Sequence, residues 1–137
     1  MKITLCSSAK FFDKLPEIKK ALEETGYEVL LPSMVDHHHL EETALTKKMH
    51  GLIEDHFSKI DESDAIFVAN FDKNGIKNYI GGSAFMEMAL AFHNKIPIFL
   101  LNEVPKDLNY REELIALQPI VIGKDWDKLD KILKNKS

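Results

Sequence analysis

Two glycines and an acid carry the strongest chemical signal in this chain, in the run Gly81-Gly82-Ser83-Ala84-Phe85-Met86-Glu87. Upstream, Ala65 to Ala69 is an unbroken apolar stretch that predicts a buried strand. Downstream, Phe85, Met88, Ala89 and Phe92 recur at helical spacing, so the glycines stand where a helix opens. Glycine at that point lets a ligand come close to the backbone, and the free amides of a helix N-terminus attract anions. Glu87 follows one turn later, with the small residues Ser83, Ala84 and Ala91 three or four positions away on the same side. A solvated helix glutamate is the ordinary reading of such a residue. A carboxylate facing space beside an anion-binding backbone instead suits chemistry on a sugar.

Other groups could join it. Ser7-Ser8-Ala9-Lys10 follows the first apolar run, where hydroxyls and amides could hold a phosphate and Lys10 could neutralise it; the alternative is a turn with a capping serine. Asp72 lies just beyond the strand Ala65 to Ala69, where a second catalytic carboxylate would be useful, although it is equally a loop aspartate beside Lys73 and Asn74. His56 falls between Leu52 and Ile60 at the edge of an apolar stripe, as a core histidine or as a proton donor. Phe11, Phe12 and Tyr79 could stack on a base or staple a helix to the core. Asp64 reads as a cap on the turn into its strand.

A metal is not expected. Consecutive residues diverge in direction, so Asp36-His37-His38-His39 reads as a solvated loop with no ligand partner at i, i+4. Cys6 is the only cysteine, which excludes an internal disulfide and a cluster of thiolates. No cofactor motif is evident either.

The elements that must position these residues alternate. Strands are expected at Lys2 to Cys6, Tyr27 to Leu31, Ala65 to Ala69, Ile96 to Leu101 and Pro119 to Ile122. Between them lie a helix carrying Leu15, Ile18, Ala21 and Leu22 and closed by Gly26, and a polar loop from Pro32 to His39. A long helix from Leu40 to Ile60 follows, with Leu45, Met49, Leu52, Ile53, Phe57 and Ile60 on one face. The glycine-led helix, a short helix from Tyr110 to Leu117 and a final one from Trp126 to Leu133 complete the chain. Alternation of apolar strands with helices specifies an α/β, flavodoxin- or Rossmann-like three-layer sandwich with a five-stranded parallel sheet. In such sheets ligands bind beyond the carboxyl ends of the strands where the order reverses. An order of 2-1-3-4-5 then gathers Ser7, Ser8, Lys10, Asn70, Asp72, Gly81, Gly82 and Ser83 around one crevice that Glu87 faces.

Composition narrows the partners. The 137 residues, 45% of them hydrophobic, suit one domain spanning residues 1–137. Eighteen basic and twenty-two acidic residues, a net charge of -4, argue against binding a nucleic-acid polymer and allow a small nucleotide in a local basic pocket. Without a signal peptide or an apolar run of membrane-spanning length, the expected location is cytoplasmic, with no membrane partner.

With Cys6-Ser7-Ser8, the strand and loop Ala65 to Asp72, and Gly81-Gly82 leading to Glu87 and Ala91, the chain resembles the nucleoside 2-deoxyribosyltransferase-like superfamily. That group includes deoxynucleoside monophosphate N-glycosidases. The resemblance implies that Glu87 is the nucleophile of a retaining mechanism through a glycosyl-enzyme ester, that the partner is a small nucleotide or nucleoside, and that a homodimer completes each site. The apolar face of the helix from Leu40 to Ile60 is expected to form part of the dimer surface. Three positions depart from the family: His56 and Gly81 stand where it carries aspartates, and Thr4 where it carries a tyrosine. Either His56 and Asp72 then take over the sugar-orienting and proton-donating roles, or the activity has changed. Lys10 falls where the monophosphate hydrolases carry an arginine, which favours a nucleotide. A second resemblance, to lysine-decarboxylase-like phosphoribohydrolases, is less close, because the Gly-Gly to Glu spacing is one residue shorter and Ala84-Phe85 replaces Gly-Thr. A nucleotide-sensing module that kept the crevice and lost the chemistry is the non-enzymatic alternative.

Overall fold

The computed structural model describes residues 1–33 and 42–136, with residues 42–48 and 136 described by their backbone. The loop Asp36 to His39 and Leu40 lie outside the described residues. Five strands, β1 (Lys2–Cys6), β2 (Glu28–Leu30), β3 (Ala65–Val68), β4 (Ile98–Leu100) and β5 (Ile120–Val121), alternate with helices α1 (Leu15–Glu24), α2 (Glu42–Asp61), α3 (Gly82–His93), α4 (Arg111–Ala116) and α5 (Trp126–Lys136). The strands form one parallel sheet in the order β2-β1-β3-β4-β5, the order read from the sequence. Strands β2, β4 and β5 are each shorter than their apolar runs suggest.

Burial on both faces explains the apolar strands. Ile3 and Leu5 of β1 pack with Leu15, Ile18 and Leu22 of α1 and with Leu129 and Leu133 of α5. One position out of phase, Cys6 joins Ile66, Val68, Ile98 and Leu100 against Ile60 of α2 and Ala84, Met88 and Ala91 of α3. The two-residue period of a strand thus turns Cys6 toward α2 and α3. Thr4 shares that phase, and its hydroxyl is engaged by Ser63 at 2.7 Å.

Local chemistry sets the connections. A short 3₁₀ turn (Ala9–Lys14), unforeseen in the sequence, leads into α1, whose first turn accommodates Pro16. Gly26 ends α1 with φ 106°, a conformation costly for other residues. Asp64 ties the starts of β1 and β3 together: its carboxylate accepts the Lys2 N–H at 2.8 Å, and its own N–H donates to the Lys2 carbonyl at 2.8 Å.

Side-chain amides and carboxylates hold the β3–α3 connection in place. Asn70, fully buried at the end of β3, accepts the Asn102 N–H at 2.9 Å through Oδ1. Its amide donates to the carbonyls of Asn102 at 3.0 Å, Glu103 at 3.1 Å and Asn78 at 3.3 Å. One side chain therefore fastens the loop to the end of β4. Asp72 folds the same loop by accepting the Asn78 N–H at 3.0 Å. Among the described residues no helix is long and apolar enough to cross a membrane.

Candidate active site

Where β1 and β3 diverge into connections on opposite faces, a cavity of about 640 Å³ opens, as the order reversal requires. Its wall is built from the loop after β1 (Ser7, Ser8, Lys10), from α2 (Leu52, His56) and from the start of α3 (Gly81, Gly82, Ser83, Glu87). All but Leu52 and His56 were gathered there by strand order and the switch-point rule alone.

Glu87 is 9% exposed and His56 4%, so both side chains sit in the wall rather than in solvent. His56 Nε2 lies 3.2 Å from Glu87 Oε2 and 3.5 Å from Cys6 Sγ. Burial raises the Glu87 carboxyl to about 8, an effect that the Cys6 thiol's hydrogen bond only partly offsets. Burial also lowers His56 to about 4, helped by the positive charge of Lys59. The Cys6 thiol is pushed up by its own burial and then by Glu87. Near neutral pH the pair consequently holds one proton and carries no net charge. Nδ1 of His56 is buried without a partner among the described residues, so the Nε2 contacts with Glu87 and Cys6 are the ones that bear on its tautomer.

Lys59, itself paired with Asp55 at 3.0 Å and donating to the Leu31 carbonyl at 2.8 Å, is held one turn from His56. Its placement adds to the resistance of the imidazole to protonation.

The opposite part of the wall is cationic and hydroxylic. Lys73 Nζ donates to Ser8 Oγ at 3.1 Å and stands 4.9 Å from the centre of the Tyr79 ring. Ser7 Oγ lies 3.1 Å from the Ala69 carbonyl oxygen and 3.2 Å from that of Ser8, leaving its lone pairs available. Lys10 is exposed at the rim. Gly81 leaves room for Tyr79: a Cβ there would come within 3.1 Å of the ring, whereas one at Gly82 would meet nothing within 4 Å.

Two expected members are elsewhere. The Asn70 amide is consumed by the backbone carbonyls it clamps, and Asp72 is exposed on the loop with Oδ1 accepting the Asn78 N–H; neither lines the cavity. Phe11 is likewise a core residue, edge-on to Phe71 with centroids 5.2 Å apart, while Phe12 and Tyr79 do line the cavity. Leu52, Ile53 and Phe57, expected on a dimer face, line the cavity as well, and Ile60 is buried in the core.

The sequence does not mark Lys73 or Cys6 as members of the site. Lys73 stands out only as a neighbour of Asp72; the backbone bridge between Lys73 and Ile76, with Asn74 and Gly75 at positive φ, is the turn that brings it back. Strand phase relative to Glu87 is the signal that could have singled out Cys6.

No family model matches the sequence, and no curated protein matches it. Solved structures do resemble it in fold. A 2-deoxyribosyltransferase from the psychrotolerant bacterium Bacillus psychrosaccharolyticus superposes with a TM-score of 0.54 at 16% identity, over 73% of this chain and 71% of that one. The Clostridium botulinum CMP N-glycosidase BcmB gives 0.51 at 17% identity, over 96% and 98%. A conserved protein from Enterococcus faecalis V583 gives 0.51 at 15%, over 100% and 99%. At these identities the shared property is architecture: the chain has the same fold as the 2-deoxyribosyltransferase and the CMP N-glycosidase.

Proposed function

We propose that this protein cleaves or transfers the N-glycosidic bond of a (deoxy)nucleotide or nucleoside, with Glu87 as the nucleophile. The observation that carries this reading is the buried carboxyl–imidazole contact at 3.2 Å in the wall of the cavity. Similar folds in a 2-deoxyribosyltransferase and a CMP N-glycosidase support it.

The chemistry needs only the proton already in the pair. As Glu87 forms its C–O bond to the anomeric carbon, its proton moves to His56 Nε2. The C–N bond breaks and the imidazolium protonates the departing base, leaving a neutral imidazole and a glycosyl ester. Water, or a second base, then attacks the anomeric carbon; its proton goes to His56, the ester bond breaks, and the singly protonated pair returns. Splitting the displacement in two retains the anomeric configuration. His56 thereby replaces a carboxylic acid as proton donor.

Ser7, Ser8, Ser83, Lys10 and Lys73 would hold phosphate or sugar oxygens, and Phe12 or Tyr79 would stack on the base. Asn70 and Asp72 would act by shaping the loop that presents Lys73 and Tyr79. Met49 and Met86 line the cavity yet are 47% and 42% exposed, and a second copy covering them would complete the site as a homodimer. Light scattering showing only monomer would remove that last element. For the mechanism itself, intact-protein mass after acid quenching should reveal one glycosyl group on Glu87; a mixture that turns over without any adduct, even when quenched within one turnover, would speak for direct displacement by water.

A further inference from the structure

We propose that Cys6, His56 and Glu87 form a site for one zinc-type divalent cation, with a remaining coordination position open to the cavity. One donor atom from each residue lies within 4.8 Å of the other two. A tetrahedral zinc ion, with Zn–S near 2.3 Å and Zn–N and Zn–O near 2.0–2.1 Å, sets S···N at about 3.6 Å and N···O at about 3.3 Å. The corresponding separations here are 3.5 Å between Cys6 Sγ and His56 Nε2, and 3.2 Å between Nε2 and Glu87 Oε2.

The surroundings favour an ion in three ways. The donors come from β1, α2 and α3 and are buried, so packing holds them in place. Among the described residues their polar contacts are with one another, so an ion would replace those contacts without breaking others there. Thiolate with imidazole and one carboxylate selects zinc-like ions over magnesium or calcium, which prefer all-oxygen shells. Three protein ligands, of which His56 and Glu87 line the cavity, also match zinc sites that keep a position for water or substrate.

Coordination occupies the carboxylate that the proposed reaction uses. Bound zinc therefore switches the glycosidase chemistry off, a consequence that rests on the function proposed above, whereas metal binding itself does not.

The test is titration of the metal-free full chain with Co²⁺, followed by absorption. One equivalent should produce thiolate-to-cobalt charge transfer and tetrahedral d–d bands, both bleached by Zn²⁺. Cys6→Ala should lose the charge-transfer band, and His56→Asn and Glu87→Gln should bind roughly tenfold or more weakly. A triple alanine variant of His37, His38 and His39 should keep the full spectrum. Absence of the bands, their persistence in Cys6→Ala, or their loss in the triple variant would overturn the site. If circular dichroism shows Cys6→Ala unfolded, unchanged affinity in His56→Asn and Glu87→Gln overturns it instead. One equivalent of Zn²⁺ should also abolish base release, reversibly on chelation. Release unaffected by saturating Zn²⁺ would overturn the switch, and a wild type that binds cobalt but releases no base would leave the metal site standing and remove the proposed reaction.

Discussion

His56 Nε2 and Glu87 Oε2 lie 3.2 Å apart although one residue is on α2 and the other on α3. Packing of those helices against the same face of the sheet makes the contact, and burial makes it chemically unusual. Each group is pushed toward its neutral form, the carboxyl up to about 8 and the imidazole down to about 4. Such a pair titrates as a unit. Between the two values it holds a single proton that either partner can carry.

That shared proton predicts the pH profile of base release. If it passes from Glu87 through His56 to the leaving base, kcat/KM should be level between about 4 and about 8 and fall tenfold per pH unit above, as the pair loses its proton. His56→Asn should lower the rate by about 10²–10⁴-fold and turn the profile into one that rises with pH, because only the free carboxylate then attacks. A wild-type rate that rises through pH 8 would rule out the relay.

Stability should carry the same signature. Glu87 ionises near 4.5 in the unfolded chain and near 8 in the folded one, so its contribution is complete below 4.5 and lost as pH rises to 8. His56 acts oppositely: its folded value lies below 6.5, so stability is lost as pH falls from 6.5 toward 4. Thermal melting across this range should show Glu87→Gln gaining on wild type as pH rises from 5 to 8. Parallel curves would mean that Glu87 is not held protonated.

Lys73 should distinguish nucleotides from nucleosides. Its ammonium reaches Ser8 across the cavity wall and has no carboxylate partner among the described residues. Removing one charge-assisted contact of this kind costs about 1.5–3 kcal/mol. Lys73→Met is thus expected to raise KM for a nucleoside monophosphate by roughly 10–100-fold and to leave that for the nucleoside nearly unchanged. Equal effects on both would place the phosphate elsewhere.

The two glycines should separate folding from binding. Gly81→Ala sets a methyl 3.1 Å from the Tyr79 ring and should cost about 1–3 kcal/mol in denaturant melts. Gly82→Ala meets nothing within 4 Å, so the fold should tolerate it while KM rises if substrate approaches that backbone. Equal stability of the two variants would show that Tyr79 moves aside without cost.

Much of this architecture was legible in the sequence, because strand and helix periods are local signals. The run Ala65 to Ala69 and the stripe through Leu15, Ile18 and Leu22 gave the layers, and the switch-point rule converted strand order into a cavity position. Roles that depend on where a side chain's hydrogen bonds end were not legible. Asn70 looks like a ligand because it follows β3, yet its amide is committed to carbonyls after β4 that no local pattern reveals. Cys6 looks like an isolated core thiol, since neither His56 nor Glu87 is near it in sequence. Lys73 depends on the tight turn at Asn74 and Gly75 pointing it back across the cavity.

If Glu87 breaks an N-glycosidic bond, free base is the most direct product to look for. Chromatography after incubation with a panel of ribo- and deoxynucleosides and their monophosphates should show base released by wild type and reduced by roughly 10³-fold or more in a folded Glu87→Gln variant. Base release undiminished in that variant, or none from wild type despite measurable nucleotide binding, would contradict a nucleophilic Glu87.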